Sequence, residues 1–350
     1  MDGYILLADG MRLDGKLAGS SRKAIGWVAA NTSVVGFQEM ATDPAYKGRI
    51  LVFTYPEVGN VGTAARFAES SRVQVAGLVV KVLSEYRSHY LSEDSLQNTL
   101  AGADVPCLTG VDTRGLAVHV REYGEMAAAI APIDADADRL REELAALEWP
   151  EFEPTEAPSV PAGGSNVRVA VLNLGARNSQ LCQLASCASL KVFPHDAPAR
   201  ALLGCKPAGV FISDGPGGVL PPQQSVKAVK ALVGKVPVLG CGLGHVALGM
   251  ALGAEPMFLK RGHHGANYPV RNIADGAVEV TQQRHTVVLE RKSVEDSPEL
   301  ELLWENINDA TVEGIRAADG SAVGLQSILA APQPGMVNAH IREFVESLGG

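Results

Sequence analysis

What is scarce in this chain excludes several classes of protein. Cysteine occurs five times in 350 residues, as Cys107, Cys182, Cys187, Cys205 and Cys241, an odd number at irregular spacing with no CxxC pair. That excludes a disulfide framework and a cysteine zinc site. Basic residues are outnumbered, 30 Lys and Arg against 39 Asp and Glu, for a net charge of −9 with no basic block. Neither a nucleic acid nor an anionic membrane is therefore expected as the main partner. No apolar run reaches the length of about 18 residues that would span a bilayer. The opening MDGYILLADGMRLDG lacks a basic segment and a cleavage site, so no signal peptide is expected and the chain reads as cytoplasmic. Glycine and proline, at 37 and 20, stay below the low-complexity range.

A chain of 350 residues has the length of two domains. The seam falls in EWPEFEPTEAPSVPAGG, rich in Pro, Glu and Ala and without apolar period, which gives domains at 1–150 and 167–350 joined by a linker at 151–166. Just before it, Leu140, Leu144 and Leu147 stand at i, i+4, i+7 and predict a helix. The first part reads as mixed α/β. GYILLADG, RILVFTYP and VAGLVVKVL are strand-like, and GLAVHVREYG is a short helix closed by Gly124. The second part alternates strand and helix: VRVAVLNLG, NSQLCQLASCA, AGVFISDGPGG, QQSVKAVKALVG, VPVLGCGLG, GHVALGMALG. Apolar strands alternating with helices predict a doubly wound parallel sheet. Ligands in such sheets sit at the carboxyl ends of the strands, which directs attention to SDGPGG and GCGLGH.

VPVLGCGLGHVALGM has the layout of a nucleophile elbow, a strand and a tight glycine-framed turn running into a helix. The apex residue of an elbow presents its side chain above the sheet, and the next backbone N–H serves as an oxyanion donor. Gly240 and Gly244 frame position 242, where the residue is glycine. Cys241 lies one residue early, on the strand side, where a one-residue shift points a side chain to the opposite face. It reads as a small buried hydrophobe.

Taken together, the motifs resemble the small subunit of carbamoyl-phosphate synthase along nearly the whole chain. NTSVVGFQEMATDPAYKGRI, TYPEVGNVGT, VAGLVVKVLSE and GVDTRGLAVHVREYG are similar to its N-terminal domain. FISDGPGG, VPVLGCGLGHVALGMALGA, KRGHHGANYPV and VTQQRHTVV follow the order of its class I glutamine amidotransferase half. The resemblance implies a glutaminase that uses a Cys–His–Glu triad. It also implies ammonia passing by an internal tunnel to a large subunit, which makes carbamoyl phosphate for pyrimidine and arginine biosynthesis. ATP, magnesium and bicarbonate belong to that large subunit, so no cofactor is expected in this chain.

Carried over by position, Ser33 matches the serine that reaches the glutamine site. Gly215 and Gly217 match the glycines whose backbone holds substrate and oxyanion, Leu243 the residue after the nucleophile, and His285 a histidine beside the substrate. The triad itself is not carried over. Gly242 stands at the nucleophile position, Ile328 at that of the catalytic histidine and Ala330 at that of its carboxylate partner. The glutamine-contacting Gln is Val246, the substrate-contacting Asn is Arg284, and the Gly and Phe after His285 are Thr286 and Val287. The stretch Ser88-His89-Tyr90-Leu91-Ser92 lacks the Arg of the family's pattern. Loss of triad members costs on the order of 10⁴–10⁶ in rate in hydrolases, so no useful glutamine hydrolysis is expected.

Other chemistry-bearing residues read as structural. His245 starts the helix after the elbow, His263 and His264 are adjacent and rarely aim at one metal, and Asp112-Thr113-Arg114 is a capped helix start. Three functions compete: a pseudoglutaminase that binds and supports a large subunit using free ammonia, a metabolite-binding or structural protein in which Arg284 holds a carboxylate in the old glutamine site, and a glutaminase that uses Cys241 as a shifted nucleophile.

Overall fold

The computed structural model describes residues 1–156, 158–160, 163 and 165–349. The chain forms two compact units, Met1–Trp149 with Lys260–Gly265, and Pro150–Leu259 with Ala266–Gly350. The stretch expected as a linker, 151–166, lies partly outside the described residues. Within its described part, Phe152 packs on the core of the second unit and against the His195 ring at 5.1 Å.

The first unit is built from β1 (Asp2–Leu7), β2 (Arg12–Gly19), β3 (Ala24–Asn31), α1 (Phe37–Thr42), β4 (Arg49–Phe53), β5 (Glu57–Val58), β6 (Gly77–Val79), β7 (Val82–Leu83), α2 (Leu96–Gly102), β8 (Pro106–Thr109), α3 (Thr113–Tyr123), β9 (Ala127–Pro132) and α4 (Ala137–Ala145). Seven of the strands close into a barrel in the order β1-β2-β8-β6-β4-β3-β9, which leaves no open edge. Strand alternation sorts the side chains into faces. Ile5, Leu7, Val28, Ile50, Val52, Val79, Leu108 and Ile130 share one cluster that fills the barrel, joined by Leu116 and Val120 of α3. On the outside, Leu51, Phe53 and Leu78 meet α1 and α2, while Tyr4 and Leu6 meet Leu140 and Leu144 of α4. Gly124, with φ 102°, closes α3 as its sequence suggests.

The second unit contains β10 (Arg168–Asn173), α5 (Asn178–Cys187), β11 (Ser189–Pro194), α6 (Ala199–Gly204), β12 (Gly209–Ile212), α7 (Gln223–Leu232), β13 (Val238–Cys241), α8 (Leu243–Ala251), β14 (Pro256–Asn272), β15 (Val278–Leu289), α9 (Arg291–Asp296), β16 (Leu300–Asn306), β17 (Val312–Ala317), β18 (Ala322–Leu325) and α10 (Ala339–Ser347). The sheet order is β11-β10-β12-β13-β18-β17-β16-β14-β15. The first five strands are parallel, as the alternation predicts. From β18 onward the pairing turns antiparallel, an extension that the alternation did not announce. Helices cover both faces of the parallel part. Leu172, Ile212 and Val238 pack with α6, α7 and α8, and Val171, Phe211 and Leu239 pack with α5 and α10.

The KRGHHG stretch, counted by sequence with the second half, packs with the first unit. The Glu125 N–H donates to Lys260 O at 2.9 Å, and the Gly262 N–H donates to Glu125 Oε1 at 2.8 Å. Among the described residues no helix is long and apolar enough to cross a membrane.

Candidate functional site

Three parallel strands of the second unit end side by side, and their loops build the site from backbone. β13 ends at Cys241, and Gly242 turns the chain into α8 with φ 52° and ψ −116°, a conformation strained for any residue with a side chain. Its N–H donates to Leu325 O at 2.9 Å, and its carbonyl accepts from Val246 N at 3.2 Å. The framing glycines are needed for closeness. A Cβ on Gly240 would stand 2.6 Å from Gly244 O, and one on Gly244 would overlap Ile212 O. Their absence lets α8 lie directly on β12 and β13.

The loop after β12 supplies the other half. Ser213 Oγ accepts from Leu174 N at 2.9 Å and donates to Asp214 O at 2.7 Å, which ties this loop to the one after β10. Asp214 Oδ1 accepts from two backbone donors, Gly215 N at 2.8 Å and Leu243 N at 3.2 Å. Its Oδ2 lies 3.8 Å from Arg177 Nε, a buried ion pair at the start of α5. A Cβ built on Gly242 would overlap Asp214 Oδ1 and Cγ. The carboxylate thus occupies the room that an apex side chain would need. Gly217 packs against the backbone of β15. Its carbonyl accepts from Thr286 N at 2.7 Å and Val287 N at 3.2 Å, and a Cβ there would overlap Arg284 O.

The sequence-predicted site residues fall into groups. Leu243, Gly215 and Gly242 come together at the elbow around Asp214. Gly217 meets the backbone of Arg284, His285, Thr286 and Val287, with the Arg284 side chain half-buried. Val246 and Val287 are buried in the apolar cluster shared with α7 and α8, where neither offers a polar group to an amide. Ile328 is buried and its N–H donates to Gln282 O at 2.9 Å; the Ala330 N–H donates to Ile328 O at 2.8 Å. Ser33 belongs to the first unit, in the loop after β3, where its N–H donates to Asn31 Oδ1 at 2.7 Å.

Cys241 is fully buried among Val171, Phe211, Leu325 and Ile341, on the face of the sheet opposite α8. Its Sγ accepts from Gln180 Nε2 at 2.7 Å. Burial, and then the nearby Asp214 charge, push its thiol far above the usual cysteine range. A thiolate is the nucleophilic form, so this environment opposes reactivity. His245 is fully buried beside Gly324, Ile315 and Leu248, and burial pushes its pKa down to about 4. It is a neutral ring in an apolar setting at physiological pH.

In the first unit, His264 Nε2 bonds Glu125 Oε1 at 2.8 Å, and Arg49 Nη1 donates to Glu125 Oε2 at 2.7 Å. Asp112 caps α3, its Oδ1 accepting from Gly115 N at 3.1 Å. In the 88–92 stretch, the Ser88 N–H donates to Asn60 O at 2.9 Å, and the His89 ring sits against Tyr90 at 4.7 Å.

Asp214 and Arg177 are the residues that sequence reasoning passed over. The only signal was an aspartate beside the glycines of SDGPGG together with a glycine at the apex, which reads as a turn unless the two loops are known to touch. Chemically, the elbow offers two convergent N–H donors, Leu243 at the N-terminus of α8 and Gly215 in the loop after β12, suited to negative charge. It offers no side-chain nucleophile at its apex.

Two family models match the chain: carbamoyl-phosphate synthase small chain, CPSase domain, over residues 5–130, and glutamine amidotransferase class-I over residues 172–327. Among curated proteins, the carbamoyl phosphate synthase small chain of Methanopyrus kandleri is 37% identical over 336 residues, covering 93% of each chain. That of Archaeoglobus fulgidus is also 37% identical over 336 residues, covering 93% of this chain and 92% of its own. That of Listeria monocytogenes is 34% identical over 352 residues, covering 99% and 96%.

Proposed function

Because the chain belongs to the carbamoyl-phosphate synthase small-chain family, we propose that it is a small-chain homologue whose amidotransferase half no longer hydrolyses glutamine. It acts as a partner of a large subunit, in a cytoplasmic heteromer that makes carbamoyl phosphate for pyrimidine or arginine biosynthesis with free ammonia as the nitrogen source. One domain, 1–150, carries the small-chain-specific part and the other, 167–350, the amidotransferase-like part. The chain itself needs no metal or cofactor in this role.

One observation carries the reading: the apex of the elbow is Gly242, and the space a nucleophile would fill is taken by the Asp214 carboxylate. The positions of the general base and its orienting acid are the aliphatic Ile328 and Ala330, which neither accept nor donate a proton. The geometry of Cys241 weighs against a shifted nucleophile, since its sulfur is buried under the sheet and bonded by Gln180. The full-length match, including the first 130 residues, supports a kept partner role, because a chain freed from the synthase has no use for that half.

Co-expression with a synthase large subunit tests the proposal. The expected outcome is a stable complex that forms carbamoyl phosphate from ammonium, ATP and bicarbonate. Failure of the chain to associate with a large subunit at low and moderate salt contradicts the partner role.

A further inference from the structure

We infer that Asp214 is a built-in ligand of the elbow: its carboxylate occupies the anion cradle formed by the Gly215 and Leu243 N–H groups and closes that cradle to external amides and carboxylates. The inference rests on the functional reading only in taking position 242 as the apex. It goes further, because a missing nucleophile leaves an empty site, whereas this site is filled.

The geometry is that of a bound carboxylate. One oxygen accepts from two backbone donors, at 2.8 and 3.2 Å, which come from different strand ends and converge on one point. The other oxygen faces Arg177, itself 2% exposed, at 3.8 Å. One of the donors, Leu243 N, sits at the N-terminus of a nine-residue helix, where the backbone dipole favours negative charge. Asp214 is 6% exposed, so the charge is held by these partners and not by bulk water. An unpaired carboxylate at such a depth would be costly. The carboxylate and an apex side chain exclude each other, because a Cβ on residue 242 would overlap both Oδ1 and Cγ. Glycine at 242 and aspartate at 214 are therefore one coupled feature. Gly242 makes room for the carboxylate, and the carboxylate satisfies donors that would otherwise be left to an oxyanion.

Removing the side chain vacates the cradle for a small free carboxylate, and formate is the probe. In the Asp214→Ala variant, added sodium formate raises the melting temperature in a saturable manner, while the wild type, as the control for general salt effects, stays flat. Gly242→Ala costs about 5 °C or more with Asp214 present, and less than half of that in the Asp214→Ala background, where only the backbone strain remains. The same formate response in wild type and variant, or an equal loss in both backgrounds, overturns the inference. Asp214→Asn keeps the side-chain shape and covers a failure of the alanine variant to fold. A neutral amide holds the N–H groups less strongly than a carboxylate, so formate displaces it and the Asn variant melts higher with formate. A flat, wild-type-like response in the Asn variant overturns the inference as well. Melting does not depend on turnover. Failure to associate with a large subunit would therefore sink the functional reading and leave this one standing, and a flat formate response would do the reverse.

Discussion

At the scale of single residues, the elbow depends on which way each side chain points. Cys241 and Gly242 are neighbours, yet the strand sends the Cys241 sulfur into the cluster on one face while the turn aims position 242 at the loop after β12. The glycine at 242 is plain in the sequence once the strand–turn–helix pattern is seen, because the framing glycines fix the register. The role of Asp214 is not plain there. It depends on a contact between two loops whose sequence separation hides it, and an aspartate among glycines reads equally well as a turn. The thiols give a residue-scale prediction. Under native conditions iodoacetamide modifies the exposed Cys182 first and leaves Cys241 and Cys107 intact, the latter with its pKa pushed up to about 12 by burial. Peptide mass spectrometry before and after unfolding checks this; native labelling of Cys241 at the pace of Cys182 would refute it.

Elements were more legible than their edges. The helix α4 follows from the spacing of Leu140 and Leu144, although it ends at Ala145 and leaves Leu147 beyond it, and β10, β12 and β13 follow from short apolar runs ending at glycine or a polar loop. The assignment of β14 was not legible. Its Lys260–Gly265 stretch packs with the first unit because Glu125 is buried there between Arg49, His264 and the Gly262 N–H. Burial alone would raise the Glu125 pKa, but the charges of Arg49 and His264 and the bonds from His264 and Gly262 bring it down to about 2. The carboxyl therefore prefers the folded state at neutral pH. That contribution is present above its ordinary value of about 4.5 and is lost as pH falls from there toward 2. Glu125→Gln is expected to cost about 3–5 kcal/mol at pH 7, since it leaves Arg49 buried without its partner. Denaturant unfolding at a series of pH values should show the difference between wild type and variant shrinking below about pH 4.5. A difference that stays constant down to pH 3 would contradict the assignment.

For the whole molecule, the sequence separates two kinds of architecture, and the structure adds what only long-range pairing decides. Barrel closure in the first unit joins β1 to β9 and β2 to β8 across more than half the unit, and no local pattern records such pairing. The antiparallel extension of the second sheet is hidden for the same reason. The parallel core is legible because each strand–helix pair is a local unit. That parallel core puts three strand ends beside α8 and so builds an oxyanion cradle around backbone donors, yet the chain fills that cradle with its own carboxylate. The most direct test of the account is ammonia release from glutamine, measured on the complex with its large subunit. The expected rate is indistinguishable from that of the large subunit alone, with carbamoyl phosphate forming only when ammonium is supplied. Glutamine-dependent ammonia release by the complex, lost when this chain is left out, would contradict it.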